Sequence, residues 1–130
     1  MNVGLVAHDV KKNLMQNLCI AYQGILKKHK LYATSTTGQM IEDVANLKIN
    51  KLLAGHFGGM QQMGSKISNN EIDLLIFLQD PSNKKRTPDF YNVLNLCDQY
   101  NIPCATNLPT AEVLILALDR GDLDWRNMYK

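Results

Sequence analysis

The stretch Leu31-Tyr32-Ala33-Thr34-Ser35-Thr36-Thr37-Gly38 decides how the rest of the chain reads. A short apolar run stops at four hydroxyl residues and a glycine, and Gln39–Asn46 then reads as a short helix. That is the punctuation of a strand, a turn and a helix. The same sequence of events recurs on both sides. Val3–Ala7 ends at His8-Asp9, and Leu52–Ala54 ends at Gly55-His56-Phe57-Gly58-Gly59. Leu74–Leu78 ends at Gln79-Asp80-Pro81, and Pro103–Ala105 ends at Thr106-Asn107. Helical patterns fill the gaps. Leu14, Leu18, Tyr22, Ile25 and Leu26 give Lys11 to Lys28 an apolar face, and Gln61–Asn69 follows the glycine turn. Thr87-Pro88 opens a helix that buries Phe90, Val93, Leu94 and Cys97, with proline at its favoured first position. Pro109 starts a last helix that runs to Leu118 and stops near Gly121. The alternation predicts one doubly wound α/β domain over residues 1–130. In such a sheet, ligands bind at the carboxyl ends of the strands, so five segments deliver polar groups to one edge.

Composition narrows the class. With 130 residues the chain is long enough for a single hydrophobic core. No apolar stretch approaches the length of a membrane span, which predicts a soluble protein without a membrane partner. The start, Met1-Asn2-Val3-Gly4-Leu5-Val6, does not read as a signal peptide. Cys19, Cys97 and Cys104 are odd in number and lack C-x-x-C spacing, as expected of reduced thiols in a cytoplasmic protein. A net charge of +2 is too weak a signal for nucleic acid.

The candidate chemistry sits in the turns. Thr34 to Gly38 offers backbone N–H groups and hydroxyls at a helix start, a setting that attracts anions. An N-cap needs only one such residue, so surplus capping is the competing reading. Lys12, one turn into the first helix, brings a compact positive charge. The adjacent Gly58 and Gly59 either let a ligand approach the backbone closely or simply make a tight turn. Asp80 either orients a neighbouring group or caps its own turn. His8 and Asp9 point at the same edge and suit acid–base work or the binding of a substrate hydroxyl. The three histidines lack ligand spacing, which argues against a metal. Lys84-Lys85-Arg86 is a solvated loop or a basic lid over the crevice.

Together these segments resemble methylglyoxal synthases along nearly the whole chain. The resemblance rests on Leu5-Val6-Ala7-His8-Asp9 with Lys12, Leu31 through Gly38, Gly58-Gly59 with Gln61-Gln62, and Ile76-Phe77 with Asp80-Pro81. Ile102-Pro103, Ala105-Thr106-Asn107 and Arg120-Gly121-Asp122-Leu123-Asp124-Trp125-Arg126 complete it. It implies a three-layer α/β/α fold with a five-stranded parallel sheet, a homohexamer, and dihydroxyacetone phosphate as substrate. It also implies proton removal from that substrate, expulsion of inorganic phosphate from the enediolate, and tautomerisation to methylglyoxal, with no cofactor or metal. Lys12, Thr34, Thr36, Thr37 and Gly55 match phosphate-contacting positions, with Gly58 and Gly59 beside them. His8, Asp9 and Asp80 match positions on the substrate side.

The departures fall on chemistry. The family motif reads Gly-Gly-Asp-Gln-Gln, and its aspartate is the base; here that position is Met60, whose thioether cannot take up a proton. The family lid carries a histidine that polarises the carbonyl; here the loop is one residue shorter and Arg86 falls at that place. Arginine donates hydrogen bonds but cannot relay a proton. Losing a positioned base costs about 10²–10⁴-fold in rate. The expectation is therefore a protein that binds dihydroxyacetone phosphate, inorganic phosphate or a similar ligand and has weak or lost lyase activity. The alternative is an active methylglyoxal synthase with a substitute base, such as His56, which neighbours Met60 in the glycine turn.

Overall fold

The computed structural model describes residues 1–82 and 88–130, without the side chains of His56 and Pro88. Five strands form one parallel sheet: β1 (Asn2–Ala7), β2 (Lys30–Thr34), β3 (Ile49–Leu52), β4 (Leu74–Leu78) and β5 (Cys104–Ala105). Their order is β3-β2-β1-β4-β5. Helices connect them: α1 (Lys12–Ala21) and α2 (Gln23–Leu26), α3 (Ser35–Val44), α4 (Gly59–Ser68), α5 (Pro88–Gln99) and α6 (Leu108–Arg120).

Alternation along the strands sorts the side chains into two cores. Val3, Leu5 and Ala7 of β1 and Leu74, Ile76 and Leu78 of β4 face α1, α2, α3 and α6. Val6, Leu75 and Phe77 face α4 and α5, where Met63, Ile67, Phe90, Val93 and Cys97 meet them. The expected three-layer α/β/α architecture is thus present. β1 and β4 are covered on both faces, which is why they read as continuous apolar runs.

Three elements differ from their sequence reading. The third strand lies at Ile49–Leu52 rather than Leu52–Ala54. It is an edge strand, so it tolerates polar residues: Asn50 Nδ2 donates to Leu31 O at 3.0 Å, and Lys51 pairs with Glu42 of α3. The single helix expected over Lys11 to Lys28 is interrupted at Tyr22, whose backbone leaves helical geometry (φ −110°, ψ 23°). The hydroxyl run is not a turn before a helix. Thr34 is the N-cap and Ser35-Thr36-Thr37 is itself the first turn of α3.

The N-terminal edge of the sheet is closed by charge. Asp73, just before β4, is buried and accepts from Asn2 N at 2.8 Å and Arg126 Nε at 3.1 Å, with Lys130 Nζ 2.7 Å away. Arg126 is buried too. Three more of its donors go to Asn101 O, Asn70 Oδ1 and Ile72 O. Asn70 and Asn101 hold left-handed backbone (φ 58° and 54°) where α4 and α5 give way to β4 and β5. One guanidinium therefore ties both helix exits to the start of β4.

Burial opposes ionisation of Asp73, but the Asn2 N–H, Lys130 and Arg126 outweigh it and hold the carboxyl below its ordinary value. A carboxyl with a depressed folded pKa adds stability that is present above its unfolded pKa and lost as pH falls through the folded one. The urea midpoint is expected to fall as pH drops below about 4. Arg126→Met leaves the buried carboxylate short of a partner. Urea unfolding at neutral pH is expected to register a loss of about 3–5 kcal/mol, with part of the acid dependence gone.

Candidate active site

The strand order reverses between β1 and β4, and a cleft opens at the carboxyl end of that pair, where such sheets bind ligands. It has a volume of about 390 Å³, within the range of small-molecule sites. His8 and Asp9 follow β1, Thr34 ends β2, and Asp80 follows β4. Gly55 and Met60 come from the segment after β3, and Asp89 and Phe90 from the first turn of α5.

The imidazole of His8 is fixed on three sides. Its Nδ1 accepts from Asp80 N at 2.7 Å, its face stacks on Phe90, and its edge meets Phe77. A neutral ring accepting at Nδ1 carries its hydrogen on Nε2, so the ring's second nitrogen is a donor. The Asp80 carboxylate accepts from Ser82 Oγ at 2.6 Å and Ser82 N at 3.0 Å. Those bonds hold its pKa below the usual carboxylate range, so it stays ionised and is a weak base. The Asp9 side chain is 97% exposed and 3.4 Å from Lys12 Nζ.

Lys12 is not among the residues that line the cleft. Its side chain is only 14% exposed, and Nζ donates to Ala7 O at 3.0 Å and Thr37 Oγ1 at 3.1 Å. It thus pins the end of β1 to the first turn of α3. Thr34 and Thr37 are buried while Thr36 is exposed, and the Thr34 hydroxyl makes no capping bond to the helix. A positive charge and a helix N-terminus converge on one wall, an arrangement that stabilises anions.

The segment Gly58-Gly59-Met60-Gln61-Gln62 is fixed residue by residue. Gly58 takes φ 101°, a backbone that side chains rarely adopt, and a Cβ on Gly59 would lie 2.1 Å from Leu53 O, so backbone geometry favours glycine at the first position and packing at the second. Gln62 Oε1 accepts from Leu53 N at 2.7 Å. Gln61 Nε2 reaches both oxygens of Asp89 at 3.1 and 3.0 Å. Between them Met60 turns into the cleft.

Of the residues singled out from sequence, His8, Asp9, Asp80, Met60, Thr34 and Gly55 share the cleft wall. Lys12 and Thr37 support it, while Thr36, Gly58 and Gly59 lie outside its lining. Arg86, the rest of the basic loop and the side chain of His56 lie outside the described residues. Asp89 and Phe90 are additions. Asp89 is an acid in the first turn of α5, a position favoured for dipole reasons, and its place in the cleft comes from the fold.

Fold and cleft define an α/β domain with a small-molecule-sized cleft at the switch point of its sheet. A model of the MGS-like domain matches residues 15–106. Methylglyoxal synthase from Caldicellulosiruptor saccharolyticus is 54% identical over 129 residues, covering 98% of this chain and 92% of that protein. The enzyme of that name from Clostridioides difficile is 53% identical over 131 residues, covering 100% and 96%. The crystal structure of methylglyoxal synthase from Elizabethkingia anophelis NUHP1 aligns with a TM-score of 0.81 at 35% identity, over 88% of this chain and 76% of that one. The chain belongs to the methylglyoxal synthase family.

Lys12→Met keeps the length of the side chain and removes its charge. Titration with inorganic phosphate, followed calorimetrically, is expected to give about 10- to 100-fold weaker binding, the scale of one charged hydrogen bond.

Proposed function

We propose that this protein is a methylglyoxal synthase that converts dihydroxyacetone phosphate to methylglyoxal and inorganic phosphate, with Asp89 as its base. The observation that carries the reading is the cleft itself, where the carboxylates of Asp9, Asp80 and Asp89 and the imidazole of His8 line one space beside the first turn of α3. About half of the residues are identical, over full length, to proteins named methylglyoxal synthase, and that supports an active enzyme over a silenced one.

The reaction needs an anion site for the phosphate, a base for the carbon-bound proton and a donor for the enediolate oxygen. The wall formed by Thr34 and Gly55, with Lys12 and Thr37 behind it, suits the phosphate. His8 is suited to donate to the enediolate through Nε2. Met60 offers no proton acceptor, so the base must come from elsewhere. Asp80 is committed to Ser82, and Asp9 is ion-paired and turned to solvent. Asp89 lines the same cleft as Met60 and is oriented by Gln61, the next residue. It is the carboxylate best placed to take the proton. The departing phosphate leaves from the anion wall, and the resulting enol tautomerises to methylglyoxal.

Met60 favours one competing reading, a protein that binds the triose phosphate without turning it over. Phosphate release from dihydroxyacetone phosphate separates the two. The natural protein is expected to turn over, and Asp89→Asn to lose about 10²–10⁴-fold in kcat. Silence of the natural protein together with retained ligand binding would establish the competing reading. Full activity of Asp89→Asn would remove Asp89 from the base role.

A further inference from the structure

At the edge of the sheet opposite the cleft, a second cavity of about 480 Å³ lies between the exits of α4 and α5 and the C-terminal turn. Three aromatic residues line it, Tyr100, Trp125 and Tyr129. Trp125 is 44% exposed and Tyr129 72%, so much of their apolar surface faces water and is open to a ligand. The frame around these rings is ordered. Tyr129 meets Trp125 edge to face, with 6.0 Å between ring centroids, and the Arg126 guanidinium lies over Trp125 at 5.7 Å. Asn70 Nδ2 donates to Tyr129 O at 3.0 Å, and Arg126 Nη1 donates to Asn101 O at 3.1 Å. Both helix exits are thereby tied to the C-terminal turn, and the cavity is preformed.

The lining sets the charge of what fits. Its one cation, Arg126, is buried and already donates to Asp73, Asn101, Asn70 and Ile72, so it needs no anion. Among the described residues no carboxylate lines the cavity, so nothing there favours a cation or accepts from the many hydroxyls of a sugar. The exposed carboxamides of Asn69 and Asn101 remain for recognition, uncommitted among the described residues and each offering two donors and an acceptor. A neutral, planar molecule with donors and acceptors along its edge matches both features. Its face stacks on the rings, and its edge pairs with a carboxamide. We propose that this cavity binds a purine nucleoside through its base. Two fused rings cover the exposed aromatic surface, and a carboxamide pairs with the amino group and the adjacent ring nitrogen of adenine. The volume is within the range of small-molecule sites and leaves room for the ribose. With no free cation in the lining, the site suits a nucleoside and not a strand of nucleic acid, whose binding rests on neutralised phosphates.

Trp125 is the chain's single tryptophan, so its emission reports on this cavity directly. The natural protein is titrated with adenosine, with excitation at the red edge of the tryptophan band, where adenosine does not absorb. Saturable quenching is expected, and dihydroxyacetone phosphate is expected not to reverse it. Two variants keep the reporter. Tyr129→Ala removes an exposed ring and is expected to weaken binding about 5- to 150-fold, the scale of one base–aromatic stack. Asn101→Gly removes a carboxamide, and glycine accepts the left-handed backbone there (φ 54°). It is expected to weaken binding about 2- to 10-fold, the scale of one hydrogen bond. A response to adenosine that never saturates, equal quenching by glucose, or unchanged affinity in both variants would each overturn the proposal. Reversal by dihydroxyacetone phosphate would move adenosine to the cleft. Emission that changes on dilution of the protein, with no response to adenosine, would give the cavity to a second copy of this chain.

Discussion

Everything in this molecule follows from the reversal of strand order between β1 and β4. All five strands run parallel, so all five carboxyl ends lie along one edge, and no hairpin shields any of them. At the reversal, α1, which follows β1, packs on one face of the sheet, while α5, which follows β4, packs on the other. The two layers part there, and the gap is the cleft. Residues from the ends of β1, β2 and β4 and from the starts of α4 and α5 meet in it without being near one another in sequence. The opposite edge has the reverse character. There the chain enters its strands, and the ion-paired Asp73 and Arg126 draw the entries together.

The entry into α4 illustrates how a chemically inert side chain can hold a demanding position. Gly58 and Gly59 fix the backbone path, Gln62 anchors it to Leu53, and Gln61 reaches across to Asp89. Met60 is pointed into the cleft by neighbours that each have their own partner. The side chain at that position can therefore change without moving the wall around it. What changes is the chemistry of the wall: a thioether is apolar and polarizable, and it fills space without adding a proton acceptor.

Much of this was legible in the sequence, for identifiable reasons. Val3–Ala7 and Leu74–Leu78 announce themselves because both faces of these strands are buried. β3 does not, because Asn50 and Lys51 are polar on an edge, while the apolar Leu53 that follows is exposed. The hydroxyl run contributes Thr34 to the cleft wall, but its residues resemble a loop, and only the structure makes Ser35-Thr36-Thr37 the first turn of α3. The burial of Arg126 gave no signal, although the residue closes a motif that carries the family resemblance. An arginine in a polar tail reads as solvated, and its burial depends on Asp73, Asn70 and Asn101, which come from three other parts of the chain. Asp89 was not singled out as a cleft residue for a similar reason: Gln61, which bonds its carboxylate, is far away in sequence.

The central position of β1 also has a price in time. It pairs with β2 after a single helical crossover, yet its other edge waits for β4, and Asn2 and Asp73 are 71 positions apart. Contacts of such separation make folding slow, because the intervening chain must be gathered before any of them forms. Until then one side of an almost wholly apolar strand presents unpaired backbone groups, a template for association with other unfinished chains. The buried centre that makes the finished sheet rigid is thus the part of the nascent chain most in need of protection.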